Sequence, residues 1–294
     1  MKSEAGLSMG ERFMTGGQKH TVSISVAGKG GVGKTSFVSL LLRTLLECEP
    51  NSEILVVDAD PACNVPDVLG VPASSTVGAI VDHKKAELKQ GVSGEFLQES
   101  IQRAVLHGDG FDYLVMGRTT GKGCYCQVNS VLTRVLESTL NFYDFVLIDF
   151  DAGLEHFSRK TDPRSDILIV VTDPSQMGFQ TARRITKVCD EVGSSYHTRY
   201  LVGSRFSESI AGEFRGRAQN TGLIPLGIIS DDDRLAKLNI LGQGIFLLPD
   251  DCKALVEVAA LWSKIRRDLE TGNEEHAAGD CLKEHHIVNQ HSVT

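Results

Sequence analysis

The sequence predicts an α/β fold: one doubly wound, mostly parallel sheet with helices on both faces. Strand-like runs of Val, Ile and Leu recur along the chain with helical patterns between them. That alternation implies right-handed crossovers and a parallel sheet. Runs such as Leu147-Ile148 and Ile167-Leu168-Ile169-Val170-Val171 are apolar at successive positions, as strands covered on both faces must be. A glycine-rich loop joins the first strand to the first helical run, an arrangement that binds ligands in open α/β sheets.

The chain has 294 residues, 41% of them hydrophobic. That is ample for one large core without a second domain. Residues 1–19 are polar, dotted with glycine and aperiodic, and read as a flexible leader. The folded domain is expected over 20–270. Its strands are expected at Thr21–Ala27, Ile54–Asp58, Tyr113–Met116, Phe145–Asp149, Ile167–Thr172, Tyr200–Val202 and Leu226–Ile229. A helix over Lys253–Leu269 places Leu255, Val258, Trp262, Ile265 and Leu269 on one stripe. It reads as a core-facing terminal helix, with a membrane-surface helix as the alternative. Residues 271–294 read as a flexible polar tail. The tail holds His276, His285, His286 and His291, and a His-rich tail can gather metal.

Lys and Arg number 30 against 38 Asp and Glu, for a formal net charge of -8. This argues against broad binding to nucleic acid or anionic membrane, so neither is expected as a partner. No apolar run approaches the roughly 18 residues of a membrane span. The start lacks a signal-peptide core, so the expected location is cytoplasmic. The seven cysteines are Cys48, Cys63, Cys124, Cys126, Cys189, Cys252 and Cys281. An odd count suggests reduced thiols, and a clustered pair suggests metal or redox chemistry.

The chemistry begins at Gly28-Lys29-Gly30-Gly31-Val32-Gly33-Lys34-Thr35. It follows the alternating run Val22-Ser23-Ile24-Ser25-Val26 and opens a helical run from Phe37 to Leu46. Strand, glycine loop and helix in that order make a phosphate-binding loop. Backbone N–H groups from Gly30, Gly31, Val32, Gly33, Lys34, Thr35 and Ser36, at the positive end of the helix, are expected to hold the phosphates of ATP. Lys34 is expected to reach the β- and γ-phosphates, and the Thr35 hydroxyl to ligate Mg²⁺.

Two further strands end in acid. Val56-Val57-Asp58-Ala59-Asp60-Pro61 closes the second, where carboxylates face the ligand crevice of an open sheet. Asp58 is expected near the Mg²⁺ or its waters. Phe145-Val146-Leu147-Ile148-Asp149 has the Walker B form, four apolar residues and then aspartate, and Asp149 is expected to hold Mg²⁺ through water. The glycine-containing turn after it, through Gly153, is expected to move on hydrolysis.

Cys124-Tyr125-Cys126 follows the glycine-rich stretch 117–123. Two thiolates so spaced can ligate one soft metal. A tetrahedral site needs four ligands, which a homodimer with the pair on its two-fold axis would supply.

The order Lys-Gly-Gly-x-Gly-Lys-Thr at 29–35 resembles the deviant Walker A of the ParA/MinD/ArsA/nitrogenase iron-protein superfamily. That resemblance implies that Lys29 crosses a dimer interface to the partner's nucleotide, as an arginine finger does. Asp60-Pro61-Ala62-Cys63-Asn64 resembles switch I of that group, which implies that Asp60 orients the attacking water. Gly123-Cys124-Tyr125-Cys126, with Asp149 through His156, resembles the CooC-type nickel-insertion ATPases over roughly residues 20–269. The resemblance implies an ATPase whose homodimer binds Ni²⁺ or Zn²⁺ through Cys124 and Cys126. It also implies a client nickel enzyme such as carbon monoxide dehydrogenase or acetyl-CoA synthase. Glu155-His156 matches a family segment, with a structural or switch-contact role for His156. Gly203-Ser204 stands where the family has Asn-Lys for base recognition, Ser230 where it has proline, and Asp151 where it has Gly or Glu. The first of these implies relaxed discrimination between ATP and GTP. Two other readings stay open: a ParA/MinD-type positioning ATPase, and an iron–sulfur reductase like the nitrogenase iron protein.

Overall fold

The computed structural model describes residues 21–83, 104–118, 142–151, 166–193 and 196–288. Eight strands form one sheet in the order β3-β4-β2-β5-β1-β6-β7-β8. They are β1 (Val22–Gly28), β2 (Ile54–Asp58), β3 (Val105–His107), β4 (Asp112–Val115), β5 (Phe145–Asp149), β6 (Ile167–Thr172), β7 (Thr198–Phe206) and β8 (Ile224–Ser230). All neighbours run parallel except β3, which pairs antiparallel with β4. The doubly wound expectation holds, with one strand added and the ends of several others shifted. β3 was not expected: Val105-Leu106-His107 is too short to show a period. β7 was expected over Tyr200–Val202. It runs on to Phe206 through register shifts after Leu201 and after Ser204.

The described helices are α1 (Lys34–Cys48), α2 (Val65–Leu69), α3 (Val77–His83), α4 (Gln176–Val192), α5 (Glu213–Ala218), α6 (Asp233–Ile240) and α7 (Lys253–Val288). Alternation along each strand sends successive side chains to opposite faces. Ile24, Val26, Leu147, Ile167, Ile169 and Val171 join the α1 and α7 side chains in one buried cluster. Val146 and Ile148 fall in a cluster on the other face, and Leu168 and Val170 in another with Phe179 of α4. Both faces are therefore covered, which is why β5 and β6 lack polar alternation.

Local signals set the helix ends. Ser175 caps α4 by accepting from the Gly178 N–H at 3.0 Å, and Gly193 ends it in the left-handed region at φ 66°. That pairing of a hydroxyl start and a glycine stop satisfies backbone groups left over at each end. In α7, Leu255, Val258, Trp262 and Ile265 are buried. The stripe thus faces the core, and Trp262 meets the Phe145 ring edge-on at 5.4 Å. The α7 backbone continues to Val288, past the expected end near Leu269. No proline interrupts that stretch, and Glu, Ala, Leu and Lys favour helix. Among the described residues, no helix is long and apolar enough to cross a membrane.

Among the described residues, both borders of the sheet are blunted. β3 is only three residues long. On β8, the Glu257 carboxylate accepts from the Ser230 N–H at 2.7 Å and from its hydroxyl at 2.8 Å. Lys264 Nζ donates to the Leu226 carbonyl at 2.9 Å.

Candidate nucleotide site

The glycine loop leaves β1 at the middle of the sheet. Gly28 has φ +150°, and a Cβ there would lie 2.2 Å from the Val171 carbonyl of β6. Only glycine lets the loop start against that backbone. Gly33 takes φ 95°, a left-handed conformation, and opens α1. The start of α1 has no side-chain cap and no acidic residue in its first turn. Its leading N–H groups and the helix dipole are left for an anion.

Lys34 is buried to 8% exposure, with the loop around it. Thr35 Oγ1 donates to Asp149 Oδ2 at 2.6 Å, joining the loop to the end of β5. Asp149 Oδ1 is buried and has no hydrogen-bond partner. Burial pushes the Asp149 carboxyl up to about 6, against the lowering effects of the Thr35 bond and the Lys34 charge. An unpaired buried carboxylate oxygen beside a hydroxyl matches the hard oxygen ligands of Mg²⁺. These residues fit a Mg²⁺ carried in with nucleotide.

Asp58 pairs in register with Asp149 across β2 and β5. Both of its oxygens are in use: Oδ1 accepts from the Asp60 N–H at 3.1 Å and Oδ2 from the Val65 N–H at 2.9 Å. Asp58 thus shapes the turn that carries Asp60. Burial pushes its carboxyl up to about 7; the Val65 N–H opposes this and the Asp149 charge adds to it. Asp60 is half-buried, and its Oδ1 accepts from the Ala62 N–H at 2.8 Å. Cys63, three residues on, has a left-handed φ of 56°, a conformation costly for a non-glycine residue. Arg118 Nε donates to the Pro61 carbonyl at 3.1 Å, tying this turn to the end of the described stretch after β4.

Lys29 is not free. Its Nζ lies 3.0 Å from Asp173 Oδ2 at the end of β6, with the two side chains 35% and 20% exposed. Burial would raise the Asp173 carboxyl, but hydrogen bonds from Ser175 and Lys29 outweigh it and hold the value below the usual carboxylate range. Asp173 is one site residue that the sequence reading missed. The signal was present: it is an acid at the carboxyl end of a strand, as Asp58 and Asp149 are.

Beside the loop is a cavity of about 110 Å³, lined in part by Gly33, Ser36, Ser204, Arg205, Asp231 and Asn239. A Cβ built on Gly33 would meet Ser204 Oγ at 3.3 Å, so the end of β7 borders the loop directly. The structure therefore brings together Lys29, Gly30 to Ser36, Asp58, Asp60 and Asp149. Cys124, Cys126, Gly153, Glu155 and His156 lie outside the described residues.

A glycine loop closed by Lys34 and Thr35, with Asp149 aligned behind it, defines a P-loop nucleoside triphosphatase. The chain belongs to the AAA domain family, which it matches over residues 20–200, and it is a P-loop ATPase. It is 36% identical over 248 residues to an uncharacterized ATP-binding protein of Methanocaldococcus jannaschii, covering 82% of this chain and 97% of the relative. It is 28% identical over 262 residues to the carbon monoxide dehydrogenase accessory protein CooC of Rhodospirillum rubrum, covering 83% and 97%. Among solved structures, the septum site-determining protein MinD of Pyrococcus horikoshii, complexed with Mg-ADP, superposes with a TM-score of 0.64 at 20% identity, covering 84% of this chain and 96% of that one. That last likeness concerns the fold.

Proposed function

We propose that this ATPase is a metallochaperone. Its ATP-bound homodimer would carry nickel, or zinc in its place, to a client enzyme of the carbon monoxide dehydrogenase or acetyl-CoA synthase type. One observation carries the reading: similarity to the CooC accessory protein extends over 97% of that relative, in a chain that holds Cys124-Tyr125-Cys126. Two copies would offer four thiolates, the number a closed tetrahedral site needs.

In this reading Gly30 to Ser36 cradle the phosphates, and Lys34 neutralises the β- and γ-oxygens. Thr35 and Asp149 hold Mg²⁺, with Asp58 bracing the turn behind them. Asp60 orients the water that attacks the γ-phosphorus, and Lys29 contributes its charge to the partner's nucleotide. Binding of metal and of nucleotide would each favour the same dimer, so each would strengthen the other.

The test is metal stoichiometry with oligomeric state. Wild type should bind one Ni²⁺ or Zn²⁺ per dimer, less tightly as pH falls because thiols must lose protons to bind. Cys124→Ser/Cys126→Ser should lose that metal and metal-driven dimerisation while still binding ATP. Undiminished stoichiometric metal binding by the double variant would overturn the reading. Metal-independent dimers with unchanged turnover would instead favour a positioning ATPase.

A further inference from the structure

The turn that holds Lys29 is itself held from a helix outside the site. Asp173, Pro174 and Ser175 link the end of β6 to α4. Asp173 Oδ1 accepts from the Ser175 N–H at 3.2 Å and from the Ser175 hydroxyl. Oδ2 is left for Lys29. Gly178, in the first turn of α4, presses on the same carboxylate: a Cβ there would lie 2.3 Å from Asp173 Oδ1. A further contact comes from α5. Arg217 Nη1 donates to the Pro174 carbonyl at 2.5 Å, and its guanidinium lies over the Phe179 ring, 4.4 Å from the centroid. With six residues and no side-chain cap, α5 is too short to hold by itself. Buried Phe214 anchors it, meeting the Phe206 ring edge-on at 5.5 Å and lying 6.5 Å from Phe179. Phe214 stands one turn before Arg217, so this aromatic trio fixes the point from which the arginine reaches out.

The connection from Arg217 to Lys29 is stiff at each joint. Proline fixes its own φ and narrows the backbone choices of the residue before it. A donor that holds the Pro174 carbonyl therefore limits the Asp173 backbone as well. The donor is charged, which makes the bond stronger than a neutral one, and the Phe179 ring keeps the guanidinium in place. We infer that Arg217 is a positioning residue of this ATPase. Acting through Pro174 and Asp173, it sets how firmly the first lysine of the phosphate loop is withheld within its own chain. What Lys29 does on release rests on the function proposed above; its retention by Asp173 and Arg217 does not.

Amine labelling of the nucleotide-free full chain tests it. A limiting dose of acetic anhydride, read by peptide mass spectrometry, reports how often Lys29 is unpaired, with exposed Lys237 as the internal reference. Asp173→Asn should raise Lys29 labelling by up to about fivefold, the range of a half-exposed ion pair. Arg217→Ala should raise it by about two- to threefold. Arg217→Lys should raise it less, because the ammonium keeps a charged donor. In the Asp173→Asn background, Arg217→Ala should add nothing, because the pair it positions is already lost. Packing loosened around α5 alone would act in either background. An Arg217→Ala effect that persists beside Asp173→Asn would therefore overturn the inference. So would unchanged Lys29 labelling in either single variant. The labelling does not depend on dimerisation, so a normal ATP dimer in Lys29→Ala would count against the trans role of Lys29 alone.

Discussion

Lys29 Nζ and Asp173 Oδ2 stand 3.0 Å apart within one chain, so the first lysine of the loop is held by the aspartate that ends β6. If Lys29 serves a partner's nucleotide, that pair must open when two copies meet. A half-exposed pair of this kind is worth at most about 1 kcal/mol, a restraint that nucleotide binding can overcome. Asp173→Asn should therefore dimerise with a non-hydrolysable ATP analogue at protein concentrations up to about fivefold lower. Lys29→Ala should bind one nucleotide per chain and stay monomeric. Size-exclusion chromatography with light scattering reads both, and a normal dimer in Lys29→Ala would make the lysine an ordinary loop residue.

Lys34 and Asp60 should separate binding from turnover. Lys34→Ala removes a buried cation at the head of α1 and should abolish both. Asp60→Asn should keep nucleotide binding and lose turnover by about 10²- to 10⁴-fold, the usual worth of a positioned general base or water-orienting group. Equal ATPase rates for Asp60→Asn and wild type would remove the assigned role.

The two raised carboxyls give the nucleotide-free protein a pH signature. Asp149 and Asp58 titrate in the folded chain at about 6 and about 7, above the ordinary carboxylate value of about 4. Between those limits the folded chain holds protons that the unfolded chain has released. Their favourable contribution is thus present in acid and lost as pH rises through the folded values. Asp149→Asn escapes part of this loss. Its melting temperature should rise relative to wild type, by about 5 °C, between about pH 5 and about pH 8. Mg²⁺ with ATP should restore wild type and not the variant. A difference that stays flat with pH would show that Asp149 is not strained by its burial.

Gly28→Ala probes the start of the loop. Its Cβ would sit 2.2 Å from the Val171 carbonyl in a φ region that L-residues avoid. The clash involves backbone on both sides, so relief requires β1 and β6 to separate. A loss of about 3 kcal/mol in unfolding free energy is expected, read by urea titration. A loss below about 0.5 kcal/mol would mean that the two strands part easily there.

What could be read in advance follows from how each residue is held. Ile54–Asp58, Phe145–Asp149 and Ile167–Thr172 coincide with the strands found, because burial on both faces leaves a continuous apolar run. Lys34, Thr35 and Asp149 were legible because the loop, helix and strand end that place them are local in sequence. Asp173 carried the same strand-end signal as Asp58 and Asp149, but its pairing with Lys29, 144 positions away, was not legible, because only the sheet order brings β6 beside β1. Arg205 was hidden for a different reason. Gly203-Ser204-Arg205 looks like the end of a strand, whereas the backbone goes on with an irregularity that no period in the sequence encodes.

The blunted borders of the sheet bear on how copies of this protein can associate. At one side Glu257 and Lys264 occupy backbone groups of β8, and at the other β3 offers only three residues. A second chain arriving sideways meets side chains where it would need a vacant ladder. Lateral stacking into fibres is discouraged at both ends, even though β2 and β6 are rich in the β-branched residues that favour such growth. The protein can therefore be crowded, or paired reversibly, without its sheet becoming a template for the next molecule.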